Sequence, residues 1–335
     1  INIIFNMSDP YRDTNGPIED ITNKCIVDSF GGKGHPYSYC IKNTDDISRN
    51  APNANSSGLD RYKSAFPSRF LNIGIAEQNL VGFASGLSST GFNVFISSFA
   101  PFITMRACEQ VRLNLGYMNS NVKIVSIGSG LSMGFLGNSH FGLEDIAIMR
   151  TIPNLNITCP ADCSELGKVL NDYAFNDRGP SYIRLTGVPG SETVYDKNYK
   201  YRFGKNITLS KGSDILILSH GSILGQIKLS LKSLKKLKIS AELVNVVSLK
   251  PIDESIIKLF SKFKKIVTIE EHTSVGGLGN IIAEKILKYK IKTELYSFSL
   301  PDKFGPTAKY DHLLKYHGLD AGGITKKIGK LLKKI

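Results

Sequence analysis

Apolar and polar positions alternate in two ways along most of the chain, and together they predict its fold class. Short apolar runs, typical of buried strands, are separated by stretches in which apolar residues recur with the period of a helix. Four such runs precede residue 188 and four follow residue 206: F-N-V-F-I-S-S-F, V-K-I-V-S-I-G, N-I-T-C-P, S-Y-I-R-L-T, D-I-L-I-L-S-H-G, S-A-E-L-V-N-V, K-K-I-V-T-I-E-E and T-E-L-Y-S-F-S. Strands that alternate with helices predict two α/β domains with mainly parallel sheets.

The boundaries of the predicted domains follow changes in this pattern. Residues 1–53 are rich in Asn, Asp, Ser and Gly without a sustained apolar period, so we expect an atypical segment that is loop-rich or poorly ordered. The first α/β domain should cover residues 54–188, and the second should cover residues 206–335. Residues 189–205 show neither periodicity and are interpreted as a linker.

Composition restricts the class of protein further. The 335 residues, of which 41% are hydrophobic, suffice for two packed cores. No apolar run approaches the ~20 residues of a membrane span, and the amino terminus lacks the order of a signal peptide, so we expect a cytoplasmic protein that does not bind membranes. Cys159 and Cys163 have no second pair of ligand residues, so we expect reduced thiols and no metal site.

The net charge of +13 raises the question of nucleic-acid binding. The lysines lie in amphipathic stretches such as L-S-L-K-S-L-K-K-L-K, where they occupy the face opposite the apolar one. No arginine follows Arg202, although arginine commonly reads phosphates and base edges. We therefore interpret the basic character as a solvated surface and expect no nucleic-acid partner.

One short stretch places a charged residue in an unusual setting. In N-I-G-I-A-E-Q-N, residues 72–79, Glu77 is the single charged side chain among small, apolar and amide residues. A glutamate in the first turn of a helix interacts favourably with the helix dipole. A carboxyl in dry surroundings can instead hold a proton and donate a hydrogen bond, as catalytic carboxyls do.

Several motifs, in order and at similar spacing, resemble those of transketolase. They are R-F-L-N-I-G-I-A-E-Q-N-L-V-G-F-A-S-G-L, S-S-F-A-P-F, L-E-D-I-A-I-M-R-T-I-P-N, K-P-I-D and T-I-E-E-H-T-S-V-G-G-L-G. From about Ala54 onwards the chain is similar to the carboxy-terminal half of transketolase, which is a separate subunit in many prokaryotes. The resemblance implies a pyrimidine-binding domain for thiamin diphosphate, then a transketolase C-terminal domain, and transfer of a two-carbon ketol unit from a ketose to an aldose.

The resemblance also implies a set of site residues. Glu77 would activate the cofactor by sharing a proton with the N1′ nitrogen of its pyrimidine ring. Phe99 and Phe102 would pack around that ring, with Met105 at the position of a third family aromatic. His140, in G-N-S-H-F-G, would contact the substrate near the reacting carbon and relay protons.

Other matched positions concern the substrate and the subunit interface. Arg184 would bind substrate or support the fold, and Arg112 would lie near the interface or form a structural ion pair. Leu136 replaces an aspartate of sugar-using transketolases, while Gly128 and Gly187 replace basic residues that grip phosphate. Because glycine cannot make charge-assisted hydrogen bonds, the hypothesis is a modified, larger or unphosphorylated ketose or a 2-oxo acid.

The sequence contains no G-D-G motif, through which the family binds the cofactor's diphosphate and Mg²⁺. The resemblance therefore implies a partner, an N-terminal transketolase subunit that binds this half of the cofactor, within a homodimer or heterotetramer. Two alternatives stay open. The chain could be the β subunit of a 2-oxo-acid dehydrogenase complex, or a non-catalytic transketolase paralogue.

Overall fold

A strand that the sequence did not predict lies at the start of the described structure. The computed structural model describes residues 2–6, 59, 66, 69–176, 178–195 and 199–333. Most of the segment expected to be loop-rich, residues 7–53, lies outside the described residues. Strand β1 (Asn2–Asn6) runs antiparallel between β2 (Phe70–Gly74) and β3 (Val94–Phe99). Pairing on both sides satisfies its backbone groups, which is why a strand forms without an apolar period.

The first domain is built on a seven-stranded sheet in the order β10-β5-β6-β4-β3-β1-β2. Its other strands are β4 (Val122–Ile127), β5 (Asn156–Thr158), β6 (Ser181–Arg184) and β10 (Ser248–Lys250). Strands β3 to β6 pair in parallel, as the sequence predicts. Strand β10 comes from the second half of the chain and pairs antiparallel with β5, so it joins the two halves.

Helices of three kinds pack on this sheet. The α-helices are α1 (Glu77–Ser89), α2 (Cys108–Gln110), α3 (Asp145–Arg150) and α4 (Cys163–Phe175), with π-helical segments at Phe102–Arg106 and Val111–Tyr117 and a 3₁₀ turn at Gly137–Ser139. Helix α1 stops before Gly91, whose positive φ of 92° suits a helix end. Helix α4 starts where the Asp162 carboxylate accepts a hydrogen bond from the Glu165 N–H at 2.9 Å.

The second domain has a five-stranded sheet in the order β12-β11-β8-β9-β7. Its strands are β7 (Ile207–Ser210), β8 (Ile215–Ser219), β9 (Ala241–Asn245), β11 (Lys265–Thr273) and β12 (Glu294–Leu300). Its helices are α5 (Ile223–Lys236), α6 (Ile257–Phe260), α7 (Leu278–Lys288), α8 (Tyr310–His317) and α9 (Ala321–Leu331), with a 3₁₀ turn at Glu254–Ile256. All pairs are parallel except β7 with β9, so the predicted fold class is confirmed.

Burial explains why the strands read as continuous apolar runs. Strands β4 and β8 are buried along their whole length, as in sheets that are covered on both faces.

Within the described ranges, no helix combines the length and the apolar character needed to span a membrane. Cys108 and Cys159 are free thiols, but Cys163 is disulfide-bonded. The prediction of reduced thiols is wrong for Cys163, because spacing in the sequence does not report proximity in the fold.

Candidate active site

Glu77 is the first residue of helix α1, just after the turn that follows β2. Its side chain is only 1% exposed, although Ile75 two residues earlier is 77% exposed. Among the described residues no side chain caps this helix end, so the free N–H groups of the first turn favour a carboxylate here. A buried carboxylate still requires a partner that compensates for its lost hydration.

Arg106, which the sequence pattern did not single out, is that partner. Its Nη1 donates a hydrogen bond to Oε2 of Glu77 at 2.6 Å. The guanidinium also lies over the ring of Phe102, with Cζ 4.6 Å from the ring centroid. Unlike Glu77, the Arg106 side chain is 48% exposed. One half-exposed arginine therefore contacts both the predicted catalytic acid and one of the predicted aromatic residues.

Three further predicted residues form a cluster of rings. The centroids of Phe99 and Phe102 are 6.1 Å apart, those of Phe99 and His140 are 5.9 Å apart, and those of Phe102 and His140 are 5.2 Å apart. All three contacts are edge-to-face, the arrangement that aromatic pairs favour. Phe99 ends strand β3, and Phe102 begins a π-helical segment, a geometry frequent at functional sites. The fold thus brings Glu77, Arg106 and the three rings into one site.

The loop that carries His140 is fixed to the second domain. Asn138 donates to the Gly305 carbonyl at 2.9 Å, and its own side-chain oxygen accepts from the Gly305 N–H at 3.0 Å. His140 Nδ1 lies 3.0 Å from the Ser139 hydroxyl, and the imidazole tautomer decides which of them donates. Since the loop contains only a 3₁₀ turn, these contacts determine where the imidazole lies.

Glu271, from the T-I-E-E-H motif, holds the start of the same loop. This buried carboxyl accepts hydrogen bonds from the Leu131 N–H at 3.3 Å, the Tyr310 hydroxyl at 2.7 Å and the Ser222 hydroxyl at 3.2 Å. Burial raises the pKa of Glu271, and the hydrogen bond from Tyr310 opposes that effect. The motif had signalled family membership, but no role for this residue could be inferred from the sequence.

Arg184 lies behind the site and has no exposed surface. Its Nε donates to Asp145 Oδ2 at 2.7 Å, and its Nη2 donates to the carbonyls of Gly142 at 3.1 Å and Glu271 at 2.9 Å. Burial lowers the pKa of Arg184, but the Asp145 carboxylate outweighs burial and raises it above its usual value. These contacts build Arg184 into the fold. Its predicted contact with substrate stays a prediction.

Two other predicted residues lie at the surface of the chain. Met105 is 46% exposed and belongs to the same π-helical segment as Phe102. Arg112 is exposed in the π-helical segment Val111–Tyr117. Their roles, cofactor contact for Met105 and subunit interface for Arg112, stay predictions.

The glycines that replace basic family residues lie in filled surroundings. A Cβ on Gly128 would lie 2.9 Å from Met133 Cγ and 3.0 Å from Phe99 Cδ1. A Cβ on Gly187 would lie 2.7 Å from Ser222 Cβ. Both glycines have positive φ, of 70° and 88°, so any side chain would also strain the backbone. A basic side chain therefore does not fit at either position in this structure.

The two domains correspond to known family models. The model described as transketolase, pyrimidine binding domain, matches residues 44–187, and the one described as transketolase, C-terminal domain, matches residues 204–324. The chain therefore belongs to the transketolase family, and it is a transketolase-like transferase subunit.

Relatives and a solved structure agree with this assignment. The chain is 40% identical over 275 residues to a putative transketolase C-terminal section of Methanocaldococcus jannaschii, covering 82% of this chain and 86% of that protein. It is 32% identical over 280 residues to one subunit of the apulose-4-phosphate transketolase of Phocaeicola vulgatus, covering 82% and 88%. It also resembles the solved split gene transketolase, inactive beta4 tetramer, with a TM-score of 0.73 and 32% identity over 85% of this chain and 90% of that one. The resemblance covers both domains.

Proposed function

We propose that this chain is the catalytic carboxy-terminal subunit of a split transketolase, with Glu77 and His140 as its catalytic residues and thiamin diphosphate as its cofactor. The observation that carries the proposal is the buried Glu77 carboxylate, which shares one site with Phe99, Phe102 and His140. Structural carboxylates pair with cations too, but a cluster of half-buried rings beside them is suited to a flat heteroaromatic ligand.

The residues present fit the pyrimidine half of the cofactor. Phe99 and Phe102 are only partly buried, so each side chain keeps exposed surface that a planar ring can contact. Glu77 would hold and share a proton at the pyrimidine N1′, and its burial keeps water from competing for that hydrogen bond. Thiamin diphosphate, when bound, supplies the carbon centre that accepts the electron pair of the cleaved bond.

His140 would act on the substrate itself. The imidazole is partly exposed and can hydrogen-bond the carbonyl or hydroxyl oxygen of a ketose donor and move a proton to or from it. Because the hydrogen bonds of Asn138 hold this loop to the second domain, His140 would be positioned before substrate enters.

The partner would be an N-terminal transketolase subunit that binds the diphosphate together with Mg²⁺, an ion that favours carboxylate and phosphate oxygens. Such a division of the enzyme is supported by the relative from Phocaeicola vulgatus, which is named as one subunit of a transketolase, and by the solved split gene transketolase. The simplest assembly is a heterotetramer with two sites between unlike subunits.

The substrate would be a ketose that is recognised without basic side chains at positions 128 and 187. This chain has Gly128 and Gly187 there. Close packing around both glycines supports this, as does the exposed apolar side chain of Leu136 beside the His140 loop. The relative from Phocaeicola vulgatus is named for apulose 4-phosphate, so phosphorylated branched ketoses belong among the donors to be assayed.

The test is Glu77→Gln in the complex reconstituted with the partner subunit. Gln keeps the shape of the side chain but has no titratable proton, so we expect ketol transfer to fall by at least about 10²-fold. The matched control is Glu254→Gln, which removes an exposed carboxyl in the second domain. Undiminished turnover of the Glu77 variant would show that the chain is not catalytic in this way. Decarboxylation of 2-oxo acids without ketol transfer would favour the dehydrogenase alternative.

A further inference from the structure

We propose that Arg106 is an autoinhibitory latch. It occupies the Glu77 carboxylate, and it must move away before the pyrimidine ring of thiamin diphosphate can bind there. The inference rests on the proposed function of Glu77, and it assigns to Arg106 a role in controlling access of the cofactor to this site.

The first observation is competition for the same oxygen. Oε2 of Glu77 already accepts a hydrogen bond from Arg106 at 2.6 Å, the short distance of a charge-assisted bond. Glu77 itself is 1% exposed, whereas Arg106 is 48% exposed. Arg106 is therefore the solvent-facing member of the pair, and a group that enters from solvent to bond with Oε2 competes with the guanidinium for that oxygen.

The second observation concerns the ring beside the carboxylate. The guanidinium of Arg106 lies 4.6 Å from the centroid of Phe102 and covers one face of that ring. Phe102 is the residue proposed to pack against the pyrimidine. The same side chain thus occupies two of the proposed contacts of the cofactor, and one movement of Arg106 would free both.

The third observation is that Arg106 can move at small cost. It is the last residue of the π-helical segment Phe102–Arg106, and its long side chain is half-exposed. The entering pyrimidine ring gives the buried Glu77 carboxyl a new hydrogen-bond partner, so the exchange costs only about what an ion pair with solvent contributes, a factor of about two to five. Such a latch is weak enough for the cofactor to open. It is strong enough to lower the apparent affinity for thiamin diphosphate by the same factor, because the cofactor binds only to molecules in which Arg106 has moved away from Glu77.

The test measures binding of thiamin diphosphate by titration calorimetry, with Mg²⁺ present, to the complex with the partner subunit. Arg106→Met keeps an unbranched side chain beside Phe102 but removes the guanidinium. We expect the Kd for thiamin diphosphate to fall by about two- to fivefold. Arg202→Met, which removes an exposed arginine between the two domains, is the control for the change in net charge.

A second pair of variants tests whether the effect passes through Glu77. In a Glu77→Gln background the arginine has no carboxylate to hold and covers only the Phe102 ring, so adding Arg106→Met should lower the Kd by less than it does in the wild type. An unchanged or higher Kd for Arg106→Met alone, or an equal decrease in both backgrounds, would overturn the latch. Should Arg106→Met fail to fold, Arg106→Gln replaces it. Its neutral amide cannot form the ion pair with Glu77, so it should give a Kd below that of the wild type, and a Kd at or above the wild-type value counts against the proposal.

The two proposals fail differently. Full turnover of Glu77→Gln would remove the proposed function, and the latch with it. Loss of turnover in Glu77→Gln, together with an Arg106→Met complex that binds thiamin diphosphate as the wild type does, would remove the latch alone.

Discussion

Breaking the buried Asp145–Arg184 ion pair from one side should destabilise the fold strongly, and Asp145→Asn tests this. Both side chains are 0% exposed and their charged atoms are 2.7 Å apart. The Asp145 carboxylate also accepts a hydrogen bond from the Tyr182 hydroxyl at 2.7 Å. The substitution preserves the size of the side chain but leaves the Arg184 guanidinium buried without a counter-charge.

The expected cost follows from these contacts. Breaking a buried ion pair by removing one partner costs about 3–5 kcal/mol. The lower end is the better expectation, because Arg184 keeps its bonds to the carbonyls of Gly142 and Glu271 and the new amide keeps one acceptor oxygen. A loss of about 3 kcal/mol should lower the apparent Tm by roughly 10 °C.

The assay is chemical and thermal unfolding of the wild type and two single variants. Glu284→Gln is the matched control, because it breaks another arginine–carboxylate contact, at 2.6 Å, in which the glutamate is 63% exposed. It should cost at most about 1 kcal/mol. A second comparison adds Arg184→Met to Asp145→Asn. Removing both charges should recover part of the loss. Equal effects of the Asp145 and Glu284 variants would refute the reasoning.

The same pair predicts a dependence on pH. Burial raises the pKa of Asp145, but Arg184 and His272 outweigh it, and the pKa is lowered from its usual 3.8. A lowered carboxyl pKa contributes stability that is present above the usual value and lost as the pH falls through the folded value. The difference between wild type and Asp145→Asn should therefore stay constant from about pH 5 to 8 and shrink in stronger acid.

Two further predictions concern other polar contacts. Burial raises the pKa of Glu165 to about 7 from its usual 4.5, so this residue contributes stability below pH 4.5 that is lost as the pH rises through 7. Glu165→Gln, which cannot ionise, should gain about 3 kcal/mol relative to the wild type between pH 5 and 8 in urea titrations, and parallel pH profiles would contradict this. Asn138→Ala should raise KM or lower kcat several-fold with little change in Tm, because it frees the His140 loop from Gly305. Unchanged kinetics would show that the Asn138–Gly305 hydrogen bonds do not position His140.

The strands that are buried on both faces could be predicted from the sequence, because their burial requires a continuous apolar run. Strands such as Ile215–Ser219 are covered on both faces, so nearly every position is apolar and the run is visible without context. The strands that sequence reasoning missed are Asn2–Asn6, Phe70–Gly74, Ile207–Ser210 and Ser248–Lys250. All four take part in antiparallel pairs at or next to a sheet edge, outside the buried parallel strands whose apolar runs are visible in the sequence.

Only those residues of the candidate site that belong to sequence motifs could be predicted. Glu77 and His140 stand out through their neighbours in sequence, but no local signal marks the contact of Arg106 with Glu77, which lies 29 residues away. The sequence contains one indication of the other contact of Arg106, the one with Phe102. Arg106 follows Phe102 by four positions, a spacing that places two side chains on one face of a helix. The ion pair of Arg184 could not be predicted from the sequence, because its partner, Asp145, is 39 positions earlier.

The second domain contains none of the proposed catalytic residues, yet it holds the loop that carries one of them, His140. The loop that ends at His140 is held at its start by Glu271 through the Leu131 N–H and near its end by Gly305 through Asn138. Both anchors belong to the second domain, and both act on a segment with almost no regular structure of its own. The position of His140 relative to the phenylalanine rings is therefore a property of how the domains pack. Substitutions that loosen this packing should affect turnover more than cofactor affinity, since Glu77 and the rings are fixed by β3 and the helices of the first domain.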